Sequence, residues 1–275
     1  MPDVNAAITV PARINYTGQM NEKPRYHAMD PTRDVHVLDP RTVQIHEAQR
    51  DRARLEHEGF QLVPHSSAVR NFLDKEELRE VYFPEVCKLI VEVTGARAAA
   101  VAAVPFVRFG ERSSMSGQLH NSRPARFVHI DYGDARGKAL AEQVFTTLED
   151  RSWQFRRFVH YNIWRVLTPP PQDVPLAMCE ANSLARSDLI EALAVFDFAG
   201  VPERTADSYV VRYNPAHHWC YFRDMTPDEA LIFVTNESDP ERPHHIPHTA
   251  FDDPGCPPDT TPRSSVEIRV VAYYE

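Results

Sequence analysis

His129 and Asp131 stand two residues apart at the end of the apolar run 126–130, with Gly133 just beyond. In a strand, residues i and i+2 point to the same face, so an imidazole and a carboxylate would project together while the glycine lets the chain turn away. Two such ligands, completed by a distant histidine, form the set that holds Fe(II) and leaves positions open for oxygen and substrates. A lone His-x-Asp is a weak signal, more often a solvated loop end than a metal site, so the chemistry depends on a third ligand. The candidates lie in Pro243-His244-His245-Ile246-Pro247-His248-Thr249-Ala250-Phe251, where three histidines fall within five residues. His248 heads a new apolar segment, while His244 and His245 lie in the turn. The pattern does not choose among the three, and a zinc hydrolase could use the same ligands.

An anion-binding partner would say more. Arg263, fifteen residues after His248, opens the final strand with Ser264 and Ser265. A guanidinium beside a hydroxyl can grip a carboxylate, as a dicarboxylate co-substrate requires. Along that strand Ser265, Glu267 and Arg269 share one face, and Val266, Ile268 and Val270 the other. Arg269 could bind the same carboxylate, or form a wall ion pair with Glu267 or a neighbouring strand. Arg165 and Arg212, each set among alternating aromatics, face the same choice between a ligand carboxylate and a structural ion pair.

The elements that must position these groups fall into three stretches. Residues 1–50 read as an extended arm over the core, because Pro2, Pro11, Pro24, Pro31 and Pro40 interrupt any helix; its Tyr16, Arg25 and Tyr26 could close over a pocket. Residues 51–97 read as mainly helical. His46–Glu58 is charged and helix-forming up to Gly59, Phe60–Pro64 is a short strand, and a second helix starts at the Asp74/Glu77 capping box and runs to Gly95 with Pro84 inside it. From residue 98 to 275 strands dominate: Val101–Phe109, Phe158–Leu167, Ser208–Tyr213, His218–Phe222, Ala230–Thr235 and Ser265–Tyr274. A short helix is expected over Gly137–Asp150, and one helical turn or more over Ser187–Phe196. Thr226–Glu229 reads as a turn. Helices before residue 100 and turn-separated strands after it indicate an α+β protein with a jelly-roll core, in a single domain spanning 1–275.

Composition narrows the partners. The net charge of −9, with no Lys/Arg-rich segment, argues against a nucleic-acid or anionic-membrane binder. No stretch approaches the roughly twenty apolar residues of a membrane helix, and Met1–Pro11 lacks the basic start and apolar core of a signal peptide. Cys87, Cys179, Cys220 and Cys256 are far apart with no C-x-x-C pair, so neither a disulfide framework nor a structural zinc site is expected, and a cytoplasmic location fits. A homodimer is compatible with all of this.

Several blocks together resemble one family. These are His129-x-Asp131, Asn162-x-Trp164-Arg165 with the Pro-rich turn and Pro175-Leu176-Ala177-x-Cys179, Arg212-Tyr213-Asn214-Pro215-Ala216-His217-x-Trp219-x-Tyr221-Phe222, Pro247-His248-Thr249-Ala250-Phe251-Asp252-Asp253-Pro254, and Pro262-Arg263-x-Ser265-Val266-Glu267-x-Arg269. They are similar to the CmcJ/AsaB-like hydroxylases and desaturases of natural-product pathways, over about residue 10 to the end. The resemblance implies a double-stranded β-helix (cupin-like) core and dependence on Fe(II), 2-oxoglutarate and O2. It also picks His248 as the distal ligand. The implied reaction oxidises an unactivated C–H bond, by hydroxylation, desaturation or ring closure, with release of succinate and CO2. The sequence departs from the family pattern at Tyr132–Arg136 and at Cys220. A cupin-like metal-dependent hydrolase or isomerase, and a catalytically silent small-molecule-binding barrel, are the alternatives.

Overall fold

A computed structural model describes residues 8–275, so the signal-peptide reading of Met1–Pro11 falls mostly outside the described residues. Two β-sheets form the framework of the fold. The nine-stranded sheet runs in the order β1 (Thr9–Thr17), β3 (Leu38–Glu47), β12 (Trp219–Tyr221), β9 (Leu176–Cys179), β14 (His248–Ala250), β7 (His129–Ile130), β11 (Arg204–Val211), β10 (Leu189–Phe196) and β2 (Arg25–His27). It curls on itself: β1 returns to the β7 end, where the Val128 amide donates to the Asn15 carbonyl at 2.8 Å. The six-stranded sheet runs β4 (Phe60–Pro64), β13 (Glu229–Glu237), β8 (Arg157–Val166), β15 (Ser264–Tyr274) and β5 (Ala98–Val101), and β6 (Phe106–Phe109) also pairs with β15.

The balance is more β than the sequence suggests. The arm supplies nine- and ten-residue strands, β1 and β3, and buries Ala12, Ile14, Tyr16 and Ile45. Pro11 and Pro40 sit inside these strands, and their short alternation concealed them. The helix expected over His46–Glu58 is absent: β3 extends to Glu47 and turns follow, with Gly59 in the left-handed region at φ 84°. Of Ser187–Phe196, Ser187 and Asp188 lie in a 3-10 turn, Arg186–Asp188, and the rest is strand β10, Leu189–Phe196. Its apolar residues alternate against β11, and that pairing outweighs local helix propensity.

The second predicted helix is present. The Asp74 carboxylate accepts from the amides of Glu76 and Glu77, and Gly95 ends the helix in the left-handed region at φ 66°. Pro84 falls in the first turn of Phe83–Thr94, directly after a π-helical segment, Leu78–Tyr82, so the proline removes no needed donor. Val86, Leu89 and Ile90 lock this helix onto one face of the six-stranded sheet. Each such burial contributes about 1.5–3 kcal/mol. A second helix, Asp134–Phe145, covers the far end of that sheet through Leu140, Ala141 and Val144 against Val271 and Tyr273.

Candidate metal centre

His129 and His248 are direct partners in the β7–β14 pairing, so their rings sit side by side with centroids 4.3 Å apart. Asp131 follows β7 on the face of His129, and one ligand atom from each of the three lies within 4.8 Å of the others. Each imidazole is oriented by its own backbone. His129 Nδ1 lies 3.0 Å from the Phe127 carbonyl, and His248 Nδ1 lies 3.1 Å from the Ile246 carbonyl. Both Nδ1 atoms therefore carry the proton, leaving the Nε2 lone pairs aimed into the centre. Burial and the neighbouring ring of His248 hold His129 down to about 3, and burial lowers His248 as well, so both are neutral and fit to ligate.

The carboxylate is held from the opposite sheet. Arg269 on β15 donates to Asp131 Oδ1 at 2.7 Å, and Asn162 on β8 donates to Oδ2 at 3.0 Å. These two residues are register partners, so the β8–β15 ladder places them together. Burial alone would raise Asp131, but the charge and hydrogen bond of Arg269 outweigh it and keep the group ionised. Each oxygen retains a lone pair for a cation. Arg269 also reaches Glu267 at 3.3 Å, and Glu267 accepts from Arg108 at 2.8 Å, giving a buried chain of alternating charge behind the ligand.

Arg263 presents the opposite situation. It is 1 % exposed, and among the described residues its Nε and Nη2 find no partner; the Ser265 hydroxyl, 0 % exposed, finds none there either. Arg263 lines a small cavity together with His129, His248, Trp164 and Arg108, and its guanidinium stands 5.6 Å from the Trp164 ring. Burial first, then the charges of Arg108 and Arg126, lower it to about 10, which still leaves it cationic at neutral pH. Tyr26 and Phe127 wall the centre beside His129, at ring distances of 6.4 and 5.2 Å.

The remaining candidates lie elsewhere. Arg165 occupies the other face of β8, where it bonds to His65 and the Pro227 carbonyl and lies over the Tyr82 ring, so it does not reach the cavity. Arg212 is exposed just beyond β11, where its backbone amide donates to the Asp188 carbonyl. His244 and His245 turn away to Asp134, each at 3.0 Å. Tyr16 is a core residue bonded to Trp219, and Arg25 is exposed. Sequence reading missed Arg108 and the part Asn162 takes. An arginine inside the apolar strand Phe106–Phe109 was the available signal, because a charge there must meet a buried counter-charge.

Comparison with known proteins agrees with this geometry. The oxidoreductase/YMDC permease-like domain family matches residues 14–273. An alpha-ketoglutarate-dependent dioxygenase, phiK, of a fungal species (strain ATCC 74256) is 27% identical over 86% of this chain and 85% of its own. The hydroxylase/desaturase asaB of Aspergillus flavus is 34% identical over 60% of this chain and 77% of its own. Among solved structures, the iron and alpha-ketoglutarate-dependent endoperoxidase NvfI superposes with a TM-score of 0.80 at 25% identity, covering 97% of this chain and 98% of that one. The chain thus belongs to the oxidoreductase/YMDC permease-like family and, within it, to the AsaB-like hydroxylases and desaturases.

Proposed function

We propose that His129, Asp131 and His248 hold Fe(II) and that Arg263, with Ser265, grips the far carboxylate of 2-oxoglutarate in the neighbouring cavity. As a member of its family the chain is an Fe(II)/2-oxoglutarate-dependent dioxygenase that also uses O2. The observation that carries the assignment of the co-substrate site is the buried guanidinium and hydroxyl without partners. An unpaired buried charge is costly, and a carboxylate entering the cavity completes both groups. The two imidazoles and one carboxylate suit Fe(II) with positions left open. A zinc hydrolase or isomerase would have no use for Arg263.

When bound, the iron and its co-substrates supply the oxidising power that removes hydrogen from an unactivated C–H bond, with release of succinate and CO2. The chain's own groups do the positioning. The Phe127 and Ile246 carbonyls fix the ring planes, Arg269 and Asn162 fix the carboxylate, and Arg263 orients the co-substrate. Tyr26 and Phe127 present an aromatic wall to a small natural-product or amino-acid-derived substrate. The proposal includes a double-stranded β-helix core, supported by the two facing sheets with the centre between them, in one oxygenase domain over 1–275. It also includes a cytoplasmic protein, on the four unpaired cysteines, acting as monomer or homodimer. Among the described residues no helix is long and apolar enough to cross a membrane.

The test is anaerobic addition of Fe(II), then 2-oxoglutarate, to the metal-free protein. A weak visible charge-transfer band that is absent in His129→Ala is expected. Bound iron without a band would shift the reading to a hydrolase or isomerase, and no metal binding would leave a silent barrel.

A further inference from the structure

Away from the iron centre, a second constellation repeats its construction. Cys220 lies in β12 and His218 two residues earlier, so their side chains share a face, as those of His129 and Asp131 do. Glu180 follows β9, the antiparallel neighbour of β12, and the Glu180 amide donates to the His218 carbonyl at 3.0 Å. Three donor atoms consequently meet. His218 Nδ1 is 2.9 Å from Glu180 Oε1, Cys220 Sγ is 3.3 Å from the same oxygen, and Sγ to Nδ1 is 3.7 Å. A tetrahedral zinc, with bonds of about 2.0–2.3 Å, sets its ligand atoms roughly 3.4–3.6 Å apart. The observed triangle needs adjustments of only a few tenths of an ångström to match. We propose that Glu180, His218 and Cys220 bind a zinc ion at a site separate from the iron centre, with the fourth position open to water.

The surroundings fit a cation. Cys220 is buried at 4 % exposure, whereas the His218 side chain is 45 % exposed, so the sulfur sits at the base and the open position faces solvent. The ring of His46, register partner of Cys220, stacks on His218 at 4.6 Å and 21°, fixing its plane. The Ser183 hydroxyl accepts from the His218 amide at 3.0 Å and holds the loop. Glu180 has no arginine or lysine partner among the described residues. Among the described residues the cluster of Asp134 with His244 and His245 differs here, because Arg186 already neutralises Asp134 at 2.7 Å. Without a cation, burial and then the Glu180 charge keep the Cys220 thiol protonated, and it donates to Glu180. Zinc binding replaces that hydrogen bond with a zinc–thiolate bond, and the thiol proton leaves to solvent. The ion would pin the end of β9 to the start of β12. No Cys spacing announces the site, since its ligands come from two strands far apart in sequence.

Cobalt(II) titration of the reduced, metal-free, full-length protein tests the proposal. A thiolate-to-cobalt charge-transfer band is expected, because the iron centre contains no sulfur. The band should persist in His129→Ala, disappear in Cys220→Ser and be displaced by zinc. No band in the native chain, or a band that survives Cys220→Ser, overturns the proposal. His218→Gln, at a half-exposed position, keeps the question answerable if the cysteine variant misfolds. It should loosen cobalt binding by more than the roughly tenfold that loss of an outer-shell partner costs, and unchanged affinity counts against the site.

Discussion

Arg263, just before β15, and Arg269, at the middle of that strand, stand six residues apart, and both are withdrawn from solvent beside the same candidate metal centre. Their surroundings are opposite. Arg269 is met by Asp131 and Glu267, and although burial opposes its charge, these carboxylates raise it above its ordinary value. Arg263 has two guanidinium nitrogens without a partner among the described residues and is lowered by burial and by neighbouring arginines. The difference is charge compensation rather than complete saturation, since Arg269 Nε is also without a partner among the described residues. A buried cation met by two carboxylates is scaffold, because its charge is already balanced within the fold; one that meets none keeps that capacity for a ligand, which is the basis of the proposed co-substrate role of Arg263.

The largest effect should come from removing what both arginines serve. His129→Ala or His248→Ala should reduce 2-oxoglutarate turnover, followed by succinate release, to background; retained turnover would falsify the ligand assignment. Next, Arg269→Met should leave Asp131 as a buried uncompensated charge, costing about 3–5 kcal/mol in chemical denaturation. It should also weaken Fe(II) binding by about 10–100-fold. Arg263→Gln should behave in the contrary way. It should retain stability and iron affinity but raise the Kd for 2-oxoglutarate by about 10–100-fold, matching the roughly 1.5–3 kcal/mol of a hydrogen bond to a charged group. If both variants lost stability equally and neither changed the 2-oxoglutarate Kd, the contrast between the two arginines would collapse. Asn162→Leu, which removes one neutral bond to Asp131, should loosen iron about tenfold. Arg212→Ala, at an exposed position, should change stability by no more than about 0.5 kcal/mol and leave the 2-oxoglutarate KM unaltered.

Much of the site was legible because its signals are local. The i, i+2 relation put His129 and Asp131 on one face before any partner was known, and the capping carboxylate of Asp74 and the left-handed Gly95 marked both ends of a helix. The alternation of β15 likewise placed Ser265, Glu267 and Arg269 together. Two stretches misled for physical reasons. The arm's strands contain prolines and mixed polarity, so β1 and β3 owe their form to each other and to the curled sheet. In β10, pairing with β11 overrode a sequence equally able to start a helix.

By itself, then, the sequence determined which residues share a face, where the helix begins and ends, and which oxygenase family the chain joins. Periodicity left His244, His245 and His248 open and only the family resemblance picked His248; the tertiary structure alone decided that His248 pairs directly with His129, that Arg269 belongs to Asp131 while Arg263 meets no carboxylate, and that Arg165 points to the opposite side. These outcomes depend on strand neighbours separated by tens to more than a hundred residues. Periodicity encodes the face a side chain takes but carries no information about which distant strand will lie beside it.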